Sequence, residues 1–88
     1  MGDFEVRFEH RAERDFSSLP RHVQVRFSAV FEELSRDPYH RRSGCDIRML
    51  EGVRGWRAVR VGEYRGIYEV SGTVVNFGSF AHRKVAYR

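Results

Sequence analysis

Fifteen of the sixteen basic residues in this 88-residue chain are arginine, and Lys84 is the only lysine. A guanidinium is a planar fork of donors that grips a phosphate bidentately and keeps its charge at any physiological pH. Arg65 stands in the middle of the most strand-like stretch of the chain, VGEYRGIYEV over 61–70. Its neighbours Val61, Tyr64, Ile67, Tyr68 and Val70 are the types a pleated, half-buried surface prefers. A permanent cation in such a run either snorkels to solvent or faces something negative. Sixteen basic residues against twelve acidic give a formal charge of +4 and a pI near 9.8, the footprint of a phosphate-backbone binder. Arginine richness inherited from genome composition is the plain alternative.

Other chemistries find little support. His10, His22, His40 and His82 are scattered, and the chain has neither CxxC nor HExxH, so no metal is expected. GxGxxG and P-loop patterns are missing as well, and no cofactor is expected. No Ser-His-Asp constellation can be assembled with any specificity. The single cysteine, Cys45, rules out an internal disulfide and reads as an incidental loop thiol. No apolar run approaches the roughly 20 residues that span a bilayer, and Met1 to His10 has no signal-peptide pattern, so a soluble, cytoplasmic protein without a membrane partner is expected.

The elements that must position the arginines follow from periodicity. Phe4, Val6 and Phe8 alternate with Glu5, Arg7 and Glu9, the signature of a strand. Ala12, Phe16 and Leu19 then fall at helical spacing, and Pro20 suits the first turn of a second helix. Val23, Phe27, Val30, Phe31 and Leu34 form one stripe, which Asp37-Pro38 ends because the residue before a proline is driven out of the α region. A basic loop, YHRRSGCD, leads to IRMLEG, a short strand or edge segment. Three runs close the chain, 55–61, 63–70 and 73–83, joined at Gly62-Glu63 and Ser71-Gly72 by hairpin-length connections. The order β-α-α-β-β-β predicts a single α+β domain over 1–88, with two helices on one face of a mainly antiparallel four-stranded sheet. Tyr64, Gly66, Tyr68 and Val70 then share one face and Glu63, Arg65, Ile67 and Glu69 the other, so Arg65 is expected on the uncovered face. Whether Arg57 and Arg83 converge with it depends on register. Trp56 reads as a core anchor at a strand start in preference to a base-stacking platform.

Leu50-Glu51-Gly52, Trp56-Arg57, Val61-Gly62-Glu63-Tyr64-Arg65, Ile67-Tyr68-Glu69-Val70 and His82-Arg83-Lys84 with Tyr87 form a combined pattern. It resembles the RelE/ParE superfamily of small toxins, and the N-terminal half fits more loosely. Gly66, Ala81 and Val85 depart from that pattern. The resemblance implies the toxin of a type II toxin–antitoxin pair, held inactive by a cognate antitoxin in a hetero-oligomer. In the RelE branch the activity is ribosome-dependent cleavage of mRNA. The resemblance carries Arg65, Arg83 and Tyr87 to catalytic positions and Arg57 less securely, with Arg60 competing for its role.

RNA cleaves itself when a 2′-OH attacks the adjacent phosphorus, and such an enzyme aligns that attack and stabilises charge on the phosphoryl oxygens. Arg65 and Arg83 would hold the phosphate, Arg57 would support substrate or leaving group, and Tyr87, with His82 second, would handle the proton. Arg60, Arg41, Arg42 and Lys84 are the candidates for binding ribosomal RNA. A ParE-like gyrase inhibitor and a degenerate toxin that only binds its antitoxin are the rival readings.

Overall fold

The alternation at Phe4, Val6 and Phe8 yields strand β1 (Glu5–Phe8), followed by helices α1 (His10–Ser17) and α2 (Arg21–Arg36). Strands β2 (Asp46–Met49), β3 (Trp56–Val61), β4 (Tyr64–Ser71) and β5 (Val74–His82) follow. The structure is a computed structural model and describes residues 2–84.

Among the described residues the sheet has five strands, ordered β1-β5-β4-β3-β2, where four were expected. The added strand is β2, whose sequence DIRM is too short and too charged to show a period. It forms because Ile47 buries itself opposite Val59, and the Leu50 N–H donates to the Trp56 carbonyl to close the hairpin. The sheet is mixed: β1 runs parallel to β5, with Glu5 opposite Val74 and Phe8 opposite Phe77, and every other pairing is antiparallel. Gly62 and Gly72 occupy the first position of two-residue hairpin loops with φ of 58° and 60°, a conformation that costs glycine no Cβ clash.

Both helices pack on one face. Val23, Phe27, Val30 and Leu34 of α2 are buried against Val59, Val61, Tyr68, Val75, Phe77 and Phe80 of the sheet. Phe77 and Phe80 stack at 4.9 Å and 12°. Gly66 is what admits that stack: a Cβ there would stand 2.7 Å from Phe77 Cε2 and 2.8 Å from Phe80 Cε2. Two other contacts fix the far end of the core. The Tyr68 hydroxyl donates to the Pro38 carbonyl at 2.8 Å, and burial pushes that phenol well above its ordinary pKa. Cys45 is buried beside it rather than loose in a loop, and desolvation raises the thiol despite the nearby Arg42 cation.

Candidate functional site

The uncovered face of the sheet carries a basic row near the β3–β4 turn. Asp46 of β2, Arg60 of β3, Arg65 of β4 and Ala81 of β5 are successive neighbours across four strands. Arg60 and Arg65 are thus directly opposite like charges, an arrangement that is unfavourable unless an anion lies between or beside them. Asp46 partly supplies one. Its carboxylate lies 3.0 Å from Arg60 Nε, 3.0 Å from Arg41 Nε and 3.7 Å from Arg48 Nε. One carboxylate therefore gathers three guanidinium groups, and its Oδ1 is buried without a well-formed hydrogen bond. Arg65 is half-buried and, among the described residues, has no carboxylate within 4.0 Å. Neither Glu63 nor Glu69 neutralises it.

Arg83 follows β5 at the same end of the sheet. Its backbone N–H donates to the Glu63 carbonyl at 2.6 Å, and its Nε lies 3.3 Å from Glu63 Oε1. Among the described residues the two Nη groups have no hydrogen-bond partner, while Glu63 steadies the stem. Lys84 is exposed beside it. His82 belongs to the opposite side of β5. It pairs with Tyr64 in register and meets that ring edge-on at 5.1 Å, and its Nδ1 accepts the Lys84 backbone N–H at 3.2 Å. That bond leaves the proton of a neutral imidazole on Nε2, 4.0 Å from Glu63 Oε1. Tyr87 lies outside the described residues.

Two other predicted residues stand elsewhere. Arg57 pairs with Tyr68 and shares the helix-covered side of β3 with Val59 and Val61. Its guanidinium sits 4.9 Å over the Tyr39 ring, and its Nε is buried without a hydrogen-bond partner. The structure does not bring Arg57 together with Arg65. Arg42 closes α2 in place of a glycine cap. It donates to the carbonyls of Glu33 at 2.8 Å, Asp37 at 3.0 Å and His40 at 2.6 Å, and its Nε reaches Glu33 Oε1 at 3.2 Å. Those donors are spent on the fold. In the same loop Asp37 is held below the usual carboxylate range, chiefly by the Tyr39 backbone N–H and then by His40.

Of the two carboxylates that organise the arginines, Glu63 shares a strand face with Arg65 in the sequence reading yet holds Arg83, and Asp46 went unnoticed. Glu63 had a signal: it occupies the hairpin loop next to Arg65. Asp46 had none, because its neighbours depend on the pairing of β2. A cleft of about 390 Å³ adjoins the basic row between α2 and the end of β3, with Val30, Cys45 and Val61 on its floor and Arg26 and Arg60 at its rim. Among the described residues, no three His, Cys, Asp or Glu side chains gather as a metal-ligand set. No described helix is long and apolar enough to cross a membrane.

The model of the family described as ParE toxin of type II toxin–antitoxin system, parDE, matches residues 6–87. Toxin RelE3 of Methanocaldococcus jannaschii is 30% identical over 74 residues, covering 84% of each chain. Among solved structures, the archaeal RelE-RelB complex from Pyrococcus horikoshii OT3 superposes with a TM-score of 0.78 at 26% identity, over 96% of this chain and 99% of that one. The toxin-antitoxin complex RelBE2 from Mycobacterium tuberculosis gives 0.75 at 27% identity, over 97% of both.

Proposed function

This chain belongs to the ParE toxin family, within the RelE/ParE superfamily of type II toxin–antitoxin toxins, and from that premise we propose that it is a ribosome-dependent endoribonuclease that cleaves mRNA. One observation carries the reading: Arg65, which has no carboxylate within 4.0 Å among the described residues, stands opposite a second arginine on the sheet face no helix covers. A phosphodiester is the ligand that such a pair lacks.

In this reading the scissile phosphate lies against Arg65 and the Nη groups of Arg83. The 2′-OH of the preceding nucleotide attacks phosphorus, a 2′,3′-cyclic phosphate forms, and the 5′-oxygen leaves with a proton. Both guanidinium groups stabilise the charge that builds on the phosphoryl oxygens. Tyr87, with His82 as second candidate, handles protons. Arg41, Arg48 and Arg60 track the flanking backbone and Lys84 the ribosomal RNA. The described residues hold no preorganised acid–base pair, so alignment by the ribosome supplies much of the rate. A cognate antitoxin with an acidic, amphipathic helix covers the toxin, and the cleft with arginines at its rim and an apolar floor suits such a segment.

The test adds purified protein to a translation extract and maps mRNA ends by primer extension, with gyrase supercoiling assayed in parallel. Codon-phased cuts that vanish when antitoxin is added are expected. The family model favours one second reading, a ParE-like gyrase inhibitor. Blocked supercoiling with intact mRNA would establish that reading in place of the first.

A further inference from the structure

Ala58 and Ile67 pose a question that the helical core does not answer. Both are buried, at 6% and 7% exposure, yet both lie on the sheet face away from the helices and outside the main core cluster. Trp56 shares that face, since it is paired with Glu69 two residues along from the Ala58–Ile67 pair. Its ring does not stand off the sheet. A Cβ placed on Gly78 would meet Trp56 Cζ3 at 3.0 Å and Cη2 at 3.1 Å. Gly78 belongs to β5, two strands away, or about 10 Å at ordinary strand spacing. The indole can span that gap only by lying along the sheet across β4, beside Ile67. Gly78 is the unpaired residue where the β4–β5 register shifts, between Ser79 opposite Ile67 and Phe77 opposite Tyr68. The bulge and the missing side chain together make the bed for the ring. The residue is only half-buried, which leaves part of it open to solvent on this uncovered face.

The edge of this plate has its own chemistry. Glu9 Oε1 lies 3.9 Å from the same Gly78 position. Glu9 Oε2 accepts from Asn76 Nδ2 at 2.9 Å, and Oε1 has no hydrogen-bond donor among the described residues. The acceptor left open favours a base that presents an amino group over uracil, whose edge is mostly acceptor. Charge along the face is polarised in the matching sense. Arg60 and Arg65 stand at the turn end, and Glu69 and Glu9 at the other. About 7 Å of strand separates Arg65 from Ile67, a span one nucleotide covers from phosphate to base.

We propose that Trp56 is a stacking platform for one amino-bearing base of single-stranded RNA, with Glu9 reading its edge and Arg65 holding the adjoining phosphate. The phosphate contact rests on the function proposed above; the platform rests on Trp56, Gly78 and Glu9.

Trp56 is the only tryptophan, so its fluorescence reports the site directly. The full chain is titrated with 2′-O-methyl trinucleotides, which cannot be cleaved, differing only in the central base. Saturable quenching of Trp56 is expected, stronger for guanine, adenine or cytosine than for uracil. Trp56→Leu keeps an apolar cover on Ile67 and should bind a fluorescein-labelled trinucleotide about tenfold more weakly by anisotropy. Glu9→Gln keeps the stack and should erase the preference against uracil, which tests the site even if Trp56→Leu fails to fold. RNA that binds through Arg65 but leaves Trp56 unquenched and unaffected by Trp56→Leu would overturn the platform and spare the ribonuclease reading. Quenching with the expected preference, in a protein that never cuts mRNA, would do the reverse. Absence of any binding would overturn the platform outright.

Discussion

Arg60 and Arg65 stand directly opposite each other across β3 and β4, and of these two Asp46 holds Arg60 alone. Arg65→Ala should therefore remove an unfavourable neighbour as well as a ligand. Urea unfolding should shift by no more than about 0.5 kcal/mol. Cleavage in a translation extract should fall about 10²–10³-fold, the cost of deleting one preorganised donor to a developing oxyanion. Arg65→Lys should recover only part of the loss, since an ammonium lacks the fork. Combining Arg65→Ala with Arg83→Ala should cost less than the product of the two single effects if both grip one phosphate. A variant that unfolds while cleavage per folded molecule is unchanged would make Arg65 structural.

Arg57 should behave in the opposite way. Its guanidinium lies over Tyr39 on the helix-covered side. Arg57→Lys loses the planar contact and should cost about 0.5–1 kcal/mol of stability, with cleavage per folded molecule unchanged. Slower cleavage at unchanged stability would mean that Arg57 reaches the substrate.

Arg42 and Arg60 separate capping from binding. Arg42→Ala leaves the Glu33, Asp37 and His40 carbonyls short of a donor and should cost about 1–3 kcal/mol. The salt dependence of RNA binding should not move. Arg60→Ala should instead lower the slope of log K against log salt by about 1. Identical slopes for Arg60→Ala and wild type would take Arg60 off the RNA.

Tyr68 sets an alkaline limit on stability. Its folded pKa is raised, so the neutral phenol belongs to the fold and the unfolded chain ionises first, near pH 10. The stability this contributes is complete below pH ~10 and is lost as pH rises beyond it toward the folded pKa. Tyr68→Phe should remove that alkaline fall. At neutral pH it should cost about 1–2 kcal/mol, because the Pro38 carbonyl loses its buried donor. Parallel pH profiles for the two proteins would contradict this.

The sequence made the helices and the meander legible because their signals are local. The stripe from Val23 to Leu34 and the alternation through VGEYRGIYEV each report one face of one element. The placement of β2 and the parallel pairing of β1 were not legible, since both depend on partners far along the chain. In the candidate site, Arg65 fell on the uncovered face as its alternation implied. Trp56 and Arg57 are the instructive pair. Hydropathy would bury the first and expose the second, yet Val59 and Val61 fix the period of β3 and turn Arg57 inward. Two distant residues make the inversion tolerable: Tyr39 receives the guanidinium, and Gly78 clears space for the indole.

The neighbourhood of β1 and β5 also sets a timetable. Strand β1, early in the sequence, adds to the edge of β5, far along it, and Val6 and Phe8 find their partners in Val75 and Phe77 only once β5 is made. A nascent chain lacking Val74–His82 has no edge to receive β1, and β4 is missing its own partner on that side. Closing so long a loop costs entropy before any contact repays it. Folding should therefore wait on the arrival of the C-terminal segment, and limited proteolysis should digest a chain cut short before Val74 while sparing the full one.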